Sequence, residues 1–303
     1  MVRIIFADLD GTFLDDEKRV PPANDHLLDI LDETDIEFVP CSGRMLTGIP
    51  SEISEHSCVR HAICSDGACI VEYENETPRI VFHDGLSADT VLELYNRVRS
   101  FDIQFDVFAD GKSFSERTRW ERLGEFPIDP GMKEFARKQR IPMDETVPEF
   151  VGNLRHIERL NMYLMRLEDY RPICEQIDAV GGLHHDPHSG VGIEITNEKI
   201  NKATGVAWIA EHESVALDDC VAFGDSDNDI PMFGSVGLGV AMVNACEGAL
   251  REANAITRLS NVAAGVAEYV LQEVLGNSVH HAIELPGNSI PWQRPQCGTD
   301  REA

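Results

Sequence analysis

Short apolar runs bounded by Gly, Asp or Ser alternate with longer amphipathic segments at both ends of this chain, and that rhythm is what βαβ units require for a parallel sheet. Val2–Ala7 reads as a strand, 23–33 as a helix with Leu27, Leu28, Ile30 and Leu31 on one stripe, and 36–41 as the next strand. The rhythm then stops. Residues 61–65 and 68–73 flank a turn-like Asp66-Gly67, 79–83 can add a third strand, and the pairing there is expected to be antiparallel. A helix over 87–99 and half-buried strands over 103–108 and 159–165 complete a middle block of α+β character.

The βα rhythm is read as returning at 192–195, followed by a helix from Lys202 to about Glu211 and strands over 220–223 and 236–240. Helices near 247–253 and 262–274 close the pattern. The expected fold is therefore an α/β doubly wound parallel sheet, formed by residues 1–84 and 188–275, with an α+β cap inserted over 85–187. Residues 276–303 have no period and are rich in Gly, Pro and polar residues, so they are expected to form a loosely held tail. The 303-residue length agrees with two bodies rather than one core.

Charge restricts the partners. Twenty-six Lys and Arg face 53 Asp and Glu, for a formal charge of -27, and no basic run is present, so nucleic acid is an unsuitable partner. An anionic substrate would meet a repulsive field, and its site must supply local positive charge through a metal, a Lys or backbone N–H groups. The eight cysteines include no C-x-x-C pair and several lie in apolar runs, which points to reduced core thiols. The N-terminal segment lacks the form of a signal peptide, and no apolar run reaches about 18 residues. A cytoplasmic protein without membrane association is the expectation; oligomeric state is not legible.

The sequence IIFADLDGTFLDD sets Asp8 and Asp10 just past the carboxyl end of an apolar strand, where open α/β sheets hold ligands. Two carboxylates one residue apart, followed by Gly11 and Thr12, can hold a hard cation and offer both a nucleophile and an acid/base. Alone, such a D-x-D is better explained by a solvated acidic turn. VAFGDSDNDIPM repeats the arrangement with Gly224, Asp225, Asp227, Asn228 and Asp229, and an EF-hand loop does not fit because no helix precedes it and no Glu closes it. Between these clusters VPCSGRM puts Ser42 and Gly43 at a strand end, and EITNEKINKATG puts Lys199 and Lys202 at a helix start. A hydroxyl, a helix N-terminus and an ammonium suit phosphoryl oxygens.

DLDGTFL, SGR, a Lys at a helix start and GDSDND, in that order, resemble the four motifs of the haloacid dehalogenase superfamily. The insert resembles its type IIB caps, and SDGA at 65–68 and GVAMVNA at 239–245 resemble the Cof-type sugar-phosphatase branch. The resemblance covers about residues 1–275. It implies a magnesium-dependent phosphatase acting on a small phosphorylated metabolite, with Asp8 as nucleophile and Asp10 as general acid and then base. It further implies Mg²⁺ held by Asp8, the Asp10 carbonyl, Asp225 and Asp229. The phosphoryl group would be held by Leu9, Asp10, Ser42, Gly43, Arg44, Lys202 and Asn228, with Lys202 matching the family spacing better than Lys199. Asp66 in place of the usual Asn and Val243 in place of the usual Gly depart from the pattern. A phosphomutase, or a binding protein with an idle site, remain the alternatives. Arg117, Arg119, Trp120, Arg122 and the stretch His184-His185-Asp186-Pro187-His188 are open candidates for lining the substrate site, with surface positions an equal reading.

Overall fold

The computed structural model describes residues 1–74, 77–154, 156–188 and 191–276. The expected tail, with Cys297, lies outside them. Fourteen strands occur among the described residues: β1 (Ile4–Ala7), β2 (Glu37–Pro40), β3 (His61–Cys64), β4 (Cys69–Glu74), β5 (Thr77–His83), β6 (Ile103–Ala109), β7 (Lys112–Glu116), β8 (Arg140–Met143), β9 (Arg159–Leu164), β10 (Leu183–His188), β11 (Gly192–Asn197), β12 (Cys220–Gly224), β13 (Leu238–Ala241) and β14 (Ala255–Ile256).

One body is built on an all-parallel sheet in the order β14-β13-β12-β1-β2. Alternation along β1 accounts for its two covered faces. Ile5 and Ala7 pack with Phe38, Phe223, Leu27, Leu28 and Val266 on one side, whereas Ile4 and Phe6 pack with Val39, Ala222, Val206, Ile209 and Phe233 on the other. The fold is thus the expected α/β core. β3, β4 and β5 form the expected antiparallel sheet, joined to the edge of the core by a parallel bridge between Cys41 and Ile63.

The second body is a six-stranded sheet in the order β10-β11-β9-β6-β7-β8, antiparallel except for the β7–β8 pair. Helices over Ala88–Val98, Val147–Val151 and Tyr170–Asp178 cover one face through Val91, Leu94, Val98, Val147, Ile173 and Ile177. The opposite face carries Gln104, Asp106, Arg159, Asn161 and Tyr163, side chains that alternate with the apolar ones on the same strands.

Two expectations of sequence organisation change. The segment 192–195, read as reopening the parallel core, is part of β11, which pairs antiparallel with β9 and β10 in the six-stranded sheet. Its neighbours come from the insert, so the alternating pattern of the strand could not show which sheet it joins. The helix expected over 262–274 is broken: Asn261–Ala263 is a 3₁₀ turn, Ala264 has φ 56°, Gly265–Tyr269 is α-helical and Val270–Val274 is a π-turn. Asn261 explains the break, because its amide turns inward to donate to the Leu14 carbonyl at 3.0 Å and to Asp16 Oδ1 at 3.1 Å.

Gly85 lies where the chain first crosses between the bodies, and Leu86 N donates to Ile157 O at 2.7 Å. A Cβ at Gly85 would sit 2.0 Å from that backbone oxygen, whereas one at Gly234, in the helix Ile230–Ser235, would meet nothing within 4 Å. Gly85→Ala is predicted to cost about 1–3 kcal/mol by overpacking, and Gly234→Ala to be neutral or stabilising by up to about 1 kcal/mol. Equilibrium urea unfolding of the two variants checks the contrast.

Candidate active site

Because β1 and β12 are neighbours in register, with Ala7 opposite Phe223, the acids that follow each strand leave the sheet side by side. Gly11, at φ 93°, permits the close passage of the first loop: a Cβ there would fall 2.4 Å from Asp225 Oδ2. Thr12 Oγ1 donates to Asp225 Oδ1 at 3.1 Å. Oxygens of Asp8, Asp225 and Asp229 come within 4.8 Å of one another.

Lys202 opens the helix Lys202–His212, whose first turn is capped by Asn201. Its Nζ donates to Asp8 Oδ1 and to Asp229 Oδ1, both at 2.6 Å, and its side chain is 1% exposed. Lys199 is exposed and takes no part in this contact. The second Asp229 oxygen accepts from Asp225 N at 2.9 Å and Ser226 N at 3.0 Å, so this residue also fixes the shape of its own loop. Asp227 lies apart, with Cys246 Sγ 3.3 Å from its Oδ1.

Asp10 takes Arg44 Nε on Oδ2 at 2.7 Å and Arg44 Nη2 on Oδ1 at 2.8 Å, and Lys18 Nζ pairs with Oδ1 at 2.8 Å. Burial pushes the Asp10 carboxyl up, but the hydrogen bonds and charge of Arg44, then Lys18, outweigh it and hold it at about 2. Ser42 Oγ accepts from Arg44 N at 3.1 Å. Lys18 was not anticipated from the sequence, and with Arg44 it adds positive charge beside Asp10.

A cleft of about 720 Å³ lies over this cluster, and its lining includes Asp8, Asp10, Lys18, Ser42, Gly43, Arg44 and Asn228 below and Arg140, Arg159, Asn161, Tyr163 and Glu194 from the six-stranded sheet above. The upper set was missed in sequence, although its signal was present: Arg159, Asn161 and Tyr163 recur at the period of two that puts them on one face of a strand. Asn228 Nδ2 donates to Asp66 Oδ1 at 3.0 Å, and Arg159 Nη1 lies 3.5 Å from Asp66 Oδ2 and 2.8 Å from Glu194. Asn244 Nδ2 donates to Gly11 O at 2.9 Å and braces the first loop, while Val243 beside it is exposed.

The open candidates lie elsewhere. Arg119 and Arg122 pair with Asp102, Arg117 with Asp144, and Trp120 does not line the cleft. His184 and His185 sit on edge strand β10 and pair with Asp186 and Asp178.

The sequence profile of the haloacid dehalogenase-like hydrolases matches residues 5–270. The chain belongs to that family. A provisionally named phosphatase of Bacillus subtilis, YxeH, is 25% identical over 286 residues, spanning 91% of this chain and 99% of the relative. An HMP-PP phosphatase of Klebsiella pneumoniae is 25% identical over 248 residues, spanning 81% and 85%. Among solved structures, a haloacid dehalogenase-like hydrolase from Bacteroides thetaiotaomicron superposes with a TM-score of 0.74 at 22% identity, covering 89% of this chain and 99% of that one. A subclass IIB sugar phosphatase superposes at 0.71 with 16% identity, covering 89% and 98%. In this haloacid dehalogenase-like hydrolase no described helix is long and apolar enough to cross a membrane.

The donor set suits a hard divalent cation: three carboxylates converge and Lys202 alone is buried among them. Burial, helped by Asp229 and Asp225 and opposed by Lys202, pushes the Asp8 carboxyl well above the ordinary range. Burial and then Asp229 push Asp225 up to about 6. An unfolded carboxylate titrates near about 3.9. Between about pH 4 and 6 the metal-free folded chain thus keeps a proton that the unfolded chain has lost, so its stability falls as pH rises through that window. In EDTA, Asp225→Asn is predicted to lessen this fall and to raise the melting temperature at pH 7, by roughly 2–4 °C per kcal/mol recovered. Scanning calorimetry from pH 4 to 7 reads the difference, and added Mg²⁺ should stabilise only the native sequence.

Proposed function

We propose that this haloacid dehalogenase-like phosphatase hydrolyses a small phosphorylated metabolite, a sugar phosphate, with Mg²⁺ and through a phosphoaspartate on Asp8, in the cytoplasm. The observation that carries the reading is the meeting of Lys202, Asp225 and Asp229 at Asp8, which itself lines a cleft roofed by hydrogen-bonding side chains. The seven described cysteines are free thiols, which suits a reducing compartment. Two bodies, dividing near residue 85 and again just after β11, are the domain organisation we assign.

Asp8, Asp225, Asp229 and the Asp10 carbonyl would hold Mg²⁺, which when bound supplies positive charge against the phosphoryl oxygens and lets one anion approach another. Asp8 attacks phosphorus, its oxygen–phosphorus bond forms, and the bond to the leaving oxygen breaks. Lys202, Ser42 and the backbone at Leu9 and Gly43 hold the equatorial oxygens. Asp10 protonates the leaving oxygen, then as carboxylate takes a proton from the water that attacks phosphorus. The Asp8 bond breaks, and inorganic phosphate leaves.

A carboxyl held at about 2 by Arg44 and Lys18 cannot carry that first proton at neutral pH. The substrate dianion resolves the conflict: Arg44 and Lys18, which both reach Asp10 and line the cleft, are drawn to the phosphate, and Asp10 is freed to take up a proton. Asn228 stands beside the same opening.

The sugar assignment draws on the roof. Asn161 Oδ1 is buried without a hydrogen-bond partner and its residue lines the cleft, as an acceptor for a hydroxyl would. The sugar-phosphatase structural neighbour supports the same class.

Asp8→Asn is predicted to abolish phosphoenzyme, whereas Asp10→Asn keeps binding and slows both steps by about 10²–10⁴-fold. Mass spectrometry of trapped enzyme decides it, with phosphate on any other residue contradicting the assignment. EDTA should eliminate turnover of p-nitrophenyl phosphate, Mg²⁺ should restore it, and Ca²⁺, content with more and longer ligands, should compete without supporting it. Asp225→Ala should lose Mg²⁺ affinity and turnover together, and Asp227→Ala should keep most of both. Asn161→Ala should lower kcat/KM by up to about 10-fold for sugar phosphates and leave p-nitrophenyl phosphate unaffected. Turnover by metal-stripped enzyme would refute the metal assignment, and metal binding without turnover would leave a binding protein.

A further inference from the structure

Away from the cleft, one buried group has no use in the chemistry above. His61 opens β3 and its side chain is 2% exposed. Its Nδ1 lies 2.7 Å from Oε1 of Glu37, a carboxylate that is itself 0% exposed and pairs through its other oxygen with Arg60 Nη2 at 2.5 Å. A carboxylate only accepts, so Nδ1 carries the hydrogen, and Nε2 is the ring atom left to offer a lone pair to a cation. That Nε2 is buried with no hydrogen-bond partner.

What lies before it is a set of further donors. Ligand atoms of His61, His212 and Glu213 come within 4.8 Å of one another. The His212 ring stands edge-on to His61, 5.8 Å between centroids at 81°, and is stacked on Trp208 at 4.7 Å and 11°. Leaving a buried acceptor unmatched is costly, and two imidazoles beside a carboxylate are a donor set that a cation of intermediate softness satisfies.

We propose that His61, His212 and Glu213 bind a divalent transition cation of the zinc class, with water completing the coordination. Two histidines and one glutamate are a zinc set, distinct in kind from the all-oxygen cluster of the cleft. Glu37 is a positioning residue: a carboxylate behind a ligating histidine fixes its tautomer and raises its basicity. Charge is consistent, since Arg60 serves both Glu37 and Glu213, the latter at 3.0 Å, and leaves one negative charge for the ion. His212 is exposed and Glu213 half-buried, so rotation of these two side chains can close the set to bonds of about 2.0–2.2 Å while His61 stays in place. The ion would clamp the last turn of the helix that begins with Lys202 to β3, a structural role.

The test uses the full chain, stripped with EDTA and returned to excess Mg²⁺, then titrated with Zn²⁺ by calorimetry and with Co²⁺ by absorption. The expected result is one equivalent bound, with the d–d bands of a low-coordinate nitrogen-ligated cobalt. Glu37→Gln should weaken binding about 10–100-fold, and His212→Ala, at an exposed ring, by more. His212→Gln keeps a flat side chain on Trp208 and should behave like the alanine variant. Asp225→Ala should bind Zn²⁺ as the native chain does. Absence of stoichiometric binding, native affinity in either His212 variant, or loss of binding in Asp225→Ala would each overturn the proposal.

Discussion

A single buried ammonium sets the terms for the catalytic half of the molecule. Lys202 Nζ is held between Asp8 and Asp229, and a charge with so little contact with water is tolerable only when it is paired and hydrogen-bonded. Burial opposes its protonation, yet Asp229 and Asp8 outweigh that and raise it well above the usual lysine range. The pairing can exist only if the helix start lies against the loops of two parallel strands. Close approach secures this: a Cβ at Gly67 would meet the Asn201 carbonyl at 2.2 Å, and one at Gly205 would meet Ile63 at 2.8 Å. The small antiparallel sheet thus serves as the surface against which the lysine helix is set.

The cap is tied to this floor through charge as well as chain. Asp66, at φ 55° in the β3–β4 hairpin, accepts from Asn228 and stands opposite Arg159, which in turn pairs with Glu194. The departure from the family's usual Asn at this position therefore has a physical setting here. An arginine delivered by the cap strand β9 faces the hairpin, and a carboxylate answers it where an amide would offer only a dipole. Arg159 also lies over the Phe108 ring at 4.3 Å, which desolvates it further and strengthens its need for anionic partners.

The core was legible because its evidence is local. Each strand–loop–helix unit carries its own apolar run and turn residues, so Asp8, Ser42, Lys202 and Asp225 could be placed at strand or helix ends from their immediate neighbours. What could not be read was pairing between distant segments. β11 has the alternation of any half-buried strand, and only its partners β9 and β10 reveal that it belongs to the cap. The same limit hid Lys18 and Arg44 as a clamp on Asp10, since an ion pair between loops leaves no periodic trace. The broken helix after Ser260 is a further case, in which one buried amide, Asn261, overrides an apolar pattern that favours continuity.

The glycines of the two acidic loops show why these loops converge so tightly. Adjacent parallel strands stand about 4.7–4.9 Å apart, so loops leaving β1 and β12 begin almost in contact, and any side chain turned toward the neighbour would hold the carboxylates apart. Gly11 removes that obstacle on one side, facing Asp225 Oδ2 at 2.4 Å from a notional Cβ. Gly224 makes room within the second loop itself, where a Cβ would lie 2.4 Å from the Asp229 side chain that folds back on it. The crowding of like charges that follows is offset in part by Lys202, which is hydrogen-bonded to Asp8 and Asp229. Burial first, and then the neighbouring acids, push both Asp8 and Asp225 above their ordinary range, which is the electrostatic state that a divalent cation relieves on binding.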